Sequence, residues 1–224
     1  MINFVCVYYG NKYRPEYVQK LYNMVKRHLT IDHKFICFTD NTSLHRIVQG
    51  DIDFRKFPLD DEIGWWNKLQ LFHPDSGLVG ENLYMDLDVV ILKNINQIAQ
   101  FGDEETFGAI HDFTGTTGIN SSIMKFNNIT MTPKVWDRYY EDRPRWRRFQ
   151  GDQNVIYEFM KDDRDLKYMP NEWSFSYKWY SRKEPRFSKS DWTFEMSYES
   201  LVAVFHGNPN PHESDVSWVL QNWK

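Results

Sequence analysis

Two short apolar runs, Phe4-Val5-Cys6-Val7-Tyr8 and Phe35-Ile36-Cys37-Phe38, flank a segment with helical spacing of its apolar residues. In that segment Tyr17, Leu21, Met24, Val25 and His28 fall on one face, and Pro15 suits the first turn of a helix. A strand, a helix and a second strand in this order predict parallel pairing through a right-handed crossover. The opening therefore restricts the chain to an α/β fold. In such folds ligands sit beyond the carboxyl ends of the strands, which here points to the loop from Tyr8 to Tyr13.

A third apolar run, Leu83-Tyr84-Met85, leads into Asp86-Leu87-Asp88 and continues as Val89-Val90-Ile91-Leu92. The setting predicts a buried strand ending in two acids. In an extended chain residues i and i+2 share a face, so the two carboxylates would converge. Buried side by side they repel each other and resist ionisation unless a cation neutralises them. Oxygen ligands of this type suit manganese or magnesium. The alternative reading is a strand end with two surface acids. Two other D-x-D strings, Asp51-Ile52-Asp53 and Asp163-Arg164-Asp165, lie in polar sequence and read as solvated charge.

The 224 residues suit one domain with a sizeable core, since 41% are hydrophobic. A net charge of −4 argues against a surface built to grip nucleic acid. Cys6 and Cys37 each lie in a strand-like run and read as buried free thiols of a reducing compartment, with a disulfide as the alternative. No signal peptide is evident and no apolar run approaches the ~18 residues of a membrane span, so a cytoplasmic location is expected.

Further elements follow from periodicity. A short helix is predicted over residues 64–73, with Trp65, Leu69 and Phe72 on one face and Lys68 at its edge. Strands are predicted over 106–110, 122–126 and 201–205, the last delivering His206. Helices are predicted over 133–140, 152–160 and 216–223, with Val219, Leu220 and Trp223 on one side of the last. Arg138, Arg143, Arg145, Arg147 and Arg148 cluster around Trp146. They read as a solvated loop offset by Asp137, Glu141 and Asp142, or as a site for nucleic acid or a phosphorylated acceptor.

An ordered series of fragments now stands out: the opening strand and loop, Trp66-Asn67-Lys68-Leu69, Tyr84-Met85-Asp86-Leu87-Asp88, Ile119-Asn120-Ser121-Ser122, Gly151-Asp152-Gln153 and Phe205-His206-Gly207. Over most of the chain this series resembles the GT-A-fold glycosyltransferases, nearest to the glycogenin-like family 8 and its small microbial and viral relatives. The resemblance implies a Rossmann-like, mixed and mainly parallel sheet flanked by helices in one domain. Residues 1–92 would form the nucleotide-binding half and 93–224 the donor-sugar and acceptor half.

The same resemblance implies a metal-dependent transfer of sugar from a nucleoside-diphosphate sugar, a UDP-sugar first, to an unknown acceptor hydroxyl, with retention of configuration. Asp86, Asp88 and His206 would hold Mn²⁺ or Mg²⁺. Tyr8, Tyr9, Gly10, Lys12 and Tyr13 would hold the base and ribose. Lys68, Asn120, Ser121, Asp152, Gln153 and Gly207 would line the donor, with Lys68 and Asp152 taking the catalytic roles. Each residue also has a structural reading. His206 could be a core histidine, Lys68 a surface lysine, Asp152 a helix cap and Asn120 a turn residue. Asn210 stands where the resemblance places the family's diphosphate-gripping lysine, so either phosphate binding would be weaker or Lys178, Arg182 or Lys183 would substitute. Two rival functions remain: a phosphatase of the haloacid dehalogenase type using Asp86 and Asp88, and a sugar- or nucleotide-binding protein without catalysis.

Overall fold

The computed structural model describes residues 1–41, 43–113, 118–182 and 197–224. Strands β1 (Ile2–Tyr8) and β2 (His33–Thr39) pair in parallel, from Ile2 opposite His33 to Tyr8 opposite Thr39. The helix Glu16–His28 forms the crossover between them. Glu16 in its first turn and Lys26, Arg27 and His28 in its last complement the helix dipole, while Tyr17, Val18, Leu21, Met24 and Val25 are buried.

Further strands are β3 (Ile52–Arg55), β4 (Glu81–Met85), β5 (Val89–Ile91), β6 (Phe107–His111), β7 (Ile119–Asn127), β8 (Leu166–Tyr168), β9 (Ser174–Ser176) and β10 (Val202–Val204). Seven of them form one sheet in the order β3-β2-β1-β4-β7-β6-β8. Only the β4–β7 and β6–β7 pairings among the described residues are antiparallel there. The sheet is buried on both faces, as a helix-covered parallel sheet must be. Phe4, Cys6 and Tyr8 of β1 join the core beneath the Glu16–His28 helix. Val5 and Val7 join the opposite core with Leu69, Phe72 and the 152–160 helix. Cys6 and Cys37 lie opposite each other in register, as buried free thiols. Among the described residues no helix is long and apolar enough to cross a membrane.

A second sheet has the order β5-β10-β9 and decides where the site residues go. Val89 of β5 stands opposite Val204 of β10 in an antiparallel pair, and Val204 stands beside Ser176 of β9. The backbone N–H of Phe205 then donates to the carbonyl of Asp88 at 3.0 Å. The chain segments carrying Asp88, His206 and Ser176 are thus tied together by main-chain hydrogen bonds.

Several sequence expectations are corrected. Asp86-Leu87-Asp88 is not extended: β4 ends at Met85, and Leu87 and Asp88 form a turn into the second sheet. Asp51-Ile52-Asp53 is not wholly loop, because Ile52 begins β3 and Asp53 pairs with Arg55 at 2.7 Å. Asp163 and Asp165 are not merely solvated, because both hold Lys134. Residues 64–72 form a 3₁₀ helix, in which Trp66 is buried and Trp65 is 51% exposed. Three residues per turn, rather than 3.6, moves Trp65 off the face shared with Leu69 and Phe72. Leu220 is exposed, whereas Val219 and Trp223 are buried. The 133–140 helix opens as a π-helical stretch, Thr132–Trp136, before Asp137–Glu141.

The arginine cluster is largely structural. Arg143 and Arg147 grip Glu62 at 3.0 and 2.7 Å, and the Glu62 side chain is fully buried. Arg143 also holds Asp61 at 2.9 Å, and Arg138 donates to the carbonyl of Phe159 at 2.9 Å. Glu62→Ala leaves Arg147 and the Tyr139 hydroxyl without their carboxylate and Arg143 with Asp61 alone. The expected cost is about 2–4 kcal/mol in urea denaturation. A loss within experimental error would mean that the cluster is held by packing alone.

Candidate active site

A cavity of about 380 Å³ opens beyond the ends of β1 and β4. Its size falls within the roughly 300–1,000 Å³ of ligand pockets. Tyr9, Lys12, Tyr13, Lys68, Asp86, Asp88, Asn120, Ser121, Asp152, Gln153, His206 and Gly207 all line it. Of the residues expected from sequence, Tyr8 and Gly10 do not. Tyr8 is buried, and its hydroxyl donates to the carbonyl of Tyr13 at 3.1 Å. The Gly10 N–H donates to the Asp40 carboxylate at 3.0 Å, with φ at +57°. Both shape the loop from behind, and the left-handed backbone at residue 10 favours glycine.

Lys68 is at the centre of the polar network. The 3₁₀ helix carries it into the interior, where it is 8% exposed. Its ammonium lies 3.0 Å from Asp86, 3.3 Å from Asp152 and 3.0 Å from the Ser121 hydroxyl. Burial alone would lower its pKa, but Asp152 and Asp86 outweigh that and hold it charged above the ordinary lysine range. The surface-lysine reading is therefore overturned.

Asp86 accepts a hydrogen bond from the Tyr84 hydroxyl at 2.5 Å. Burial works against its ionisation, but Lys68 and then Tyr84 hold it below the usual carboxylate range. Asp152 opens the helix Asp152–Met160, whose cap position is Gly151. It stands inside the helix rather than at the cap position, and its side chain accepts from Ser121 at 2.7 Å, so the cap reading is overturned. Asn120 lies in β7 rather than in a turn, and its side-chain oxygen accepts from the Ser122 N–H at 2.9 Å.

Asp88 sits differently. It is 6% exposed and accepts from the Tyr13 hydroxyl at 2.6 Å. Burial, and then the neighbouring Asp86, push its carboxyl up to about 6. Burial and the same carboxylate raise the Tyr13 hydroxyl far above its ordinary range. Tyr9 is pushed up to about 12, chiefly by burial. Three carboxylates, Asp86, Asp88 and Asp152, thus face two lysines, Lys12 and Lys68, leaving a surplus of negative charge at Asp88.

That surplus and the oxygen donors fit a divalent cation at the acid pair. Among the described residues, however, no three acidic, histidine or cysteine side chains are grouped as a metal-binding set. His206 lines the same cavity, but its Nε2 hydrogen-bonds the Ser176 hydroxyl at 2.6 Å and its ring stacks on Phe113. Asn210 caps the 3₁₀ turn Pro211–Glu213, while the Lys178 ammonium comes within 3.8 Å of where a Cβ on Gly207 would stand. The Arg182 side chain and Lys183 lie outside the described residues. Sequence reasoning missed Trp65, Tyr84 and Gln150 as lining residues. The D-x-D setting could have pointed to Tyr84, two residues before Asp86; Trp65 and Gln150 carry no local signal.

No family model matches the sequence, and no curated protein matches it. Solved structures do match in fold. An active-site mutant of LgtC superposes with a TM-score of 0.70 at 14% identity, over 96% of this chain and 91% of that one. The galactosyltransferase LgtC in complex with donor and acceptor sugar analogs gives 0.69 at 14% identity, over 95% and 90%. The glycosyltransferase GlyE of Streptococcus pneumoniae TIGR4 gives 0.69 at 16% identity, over 99% of this chain and 61% of that one. The chain thus has the GT-A glycosyltransferase fold that its ordered fragments imply.

The Asp88 carboxyl has a folded pKa above its ordinary 3.8, so it favours the folded state below that value. The contribution is lost as the pH rises through about 6. At neutral pH the ionised group costs the metal-free protein on the order of 3 kcal/mol. Asp88→Asn is expected to raise the metal-free Tm at neutral pH by roughly 6–12 °C and to leave it nearly unchanged in acid. A lower neutral Tm would show that the ionised carboxylate stabilises the turn.

Proposed function

We propose that this chain is a metal-dependent glycosyltransferase that moves a sugar from a nucleoside-diphosphate sugar to an acceptor hydroxyl. The observation that carries the reading is the convergence of Lys68, Asp86, Asp88, Asp152 and His206 on one cavity at the strand ends of a glycosyltransferase fold. The LgtC structure with donor and acceptor sugar analogs supports a two-substrate site of this type.

In this reading Tyr9, Lys12 and Tyr13 bind the base and ribose, with UDP as the first candidate. Tyr8 and Gly10 hold their loop in shape. Asp86 and Asp88 would hold Mn²⁺ or Mg²⁺, with His206 as the third ligand, and the cation would supply positive charge against the departing diphosphate. Lys68 adds a second, pre-aligned charge; a fixed ammonium needs no reorganisation as the leaving group forms. Lys178, beside Gly207, supplies the phosphate contact that Asn210 lacks. Asn120, Ser121, Asp152 and Gln153 orient the sugar hydroxyls near the reacting carbon. Configuration is retained, as the family resemblance implies. Residues 1–92 serve the nucleotide, residues 93–224 serve the sugar and acceptor, and the protein acts in the cytoplasm.

Two measurements test the reading. UDP with Mn²⁺ is expected to raise the Tm, and chelation to abolish the rise. In turnover of a UDP-sugar, Asp152→Asn is expected to lower kcat by about 10²–10³-fold while leaving UDP affinity nearly unchanged. An UDP-dependent shift that survives excess chelator overturns the metal assignment. Undiminished turnover in Asp152→Asn overturns its role at the sugar.

A further inference from the structure

Beside the main cavity lies a second one of about 480 Å³, lined by Arg145, Arg148, Phe149, Gln150 and Asn154. Gln150 and Asn154 also line the main cavity, so the two spaces share the residues that flank Gly151 and Asp152 in sequence. This is the side on which an acceptor would approach a donor sugar held near Asp152.

The two arginines differ from the rest of their cluster. Arg138, Arg143 and Arg147 are used internally, on a backbone carbonyl, Asp61 and the buried Glu62. Arg145 and Arg148 make no ion pair among the described residues. Both are exposed at the surface. The Arg145 guanidinium lies over the Trp146 ring at 4.7 Å, which leaves its edge available to an anion. Asp142, the nearest acid in sequence, is engaged by the Arg145 backbone N–H at 3.2 Å. Phe149, 37% exposed, adds an aromatic face against which the apolar side of a sugar ring can pack.

We infer that this second cavity is the acceptor subsite and that it takes an anionic saccharide, one bearing a carboxylate or a phosphate, through Arg145 and Arg148. The inference rests on the transferase reading for the identity of the acceptor. Two unpaired cations beside one aromatic ring match a single anionic sugar. A nucleic-acid strand would need a longer basic track, and the other three arginines are already bound to the protein itself.

The test is calorimetric titration of the full chain with lactose, sialyllactose, a phosphorylated lactose and oligo-dT, and separately with UDP and Mn²⁺. Sialyllactose and phosphorylated lactose separate a carboxylate from a phosphate source. At least one is expected to bind about tenfold more tightly than lactose, the preference shrinking at high salt as exposed charge pairs are screened. Arg145→Ala/Arg148→Ala is expected to abolish the preference while UDP binding is unchanged, since neither arginine lines the main cavity. Arg145→Lys/Arg148→Lys should keep part of it, because lysine retains charge without the planar fork. Equal binding of all three saccharides, or binding of none, overturns the inference. Oligo-dT binding more tightly than every saccharide, and lost in the same alanine variant, overturns it in favour of a nucleic-acid site. If UDP fails to bind while the anionic preference holds, the transferase reading falls and with it the label of acceptor, but not the anion site.

Discussion

The arrangement of the site depends on one buried ammonium. Lys68 touches Asp86, Asp152 and Ser121, which come from three different parts of the chain: the end of β4, the start of the 152–160 helix and strand β7. Without it, the half-buried Asp86 and the buried Asp152 would face each other with no cation between them. A single charge pair of this kind contributes little net stability, because desolvation offsets the attraction. It does fix geometry: each partner must sit where the shared cation can reach it. The Tyr84 hydroxyl on Asp86 and the Ser121 hydroxyl on Asp152 occupy further lone pairs and narrow the choice of rotamers.

Asp88 is left outside this arrangement. Its side chain accepts from the Tyr13 hydroxyl, and burial together with the neighbouring Asp86 makes its ionisation costly. The same short segment therefore holds one acid kept ionised by the protein and one resisting ionisation. Such divergence between neighbouring groups is common where a charged ligand is to be bound. The loop Tyr9 to Tyr13 reaches this point through the Tyr13 bond, so this loop and the acid pair are mechanically linked.

Much of the fold was legible because the large elements have clear periods. The runs at Phe4 and Phe35 are fully buried strands, and the 152–160 helix begins and ends where its apolar spacing predicts. Short edge elements were not legible. Strands β3 and β8 are three or four residues long beside charged strings, where alternation has no length in which to develop. The 3₁₀ helix was read with the wrong period, which exchanged the roles of Trp65 and Trp66. Most of the cavity-lining residues were named through an ordered series of fragments, while two of their partners were not: Tyr84 stands two residues before Asp86, and Ser176 reaches His206 by tertiary contact alone. Within the arginine cluster, sequence could not separate the members that grip Glu62 from those that face the second cavity, because all five carry the same charge.

The second sheet sets an order in which the site can be assembled. The acids are placed by β4, which joins the sheet through its neighbours β1 and β7. His206 arrives only when β10, near the end of the chain, closes onto β5 at residues 89–91. Closing so long a loop carries an entropic cost that is met only once the intervening sheet is compact. The contact between the two segments is therefore a late event in folding. The same pairing, with only three residues on each strand, gives the C-terminal part of the site a lower threshold for local opening than the parallel sheet that carries the acids.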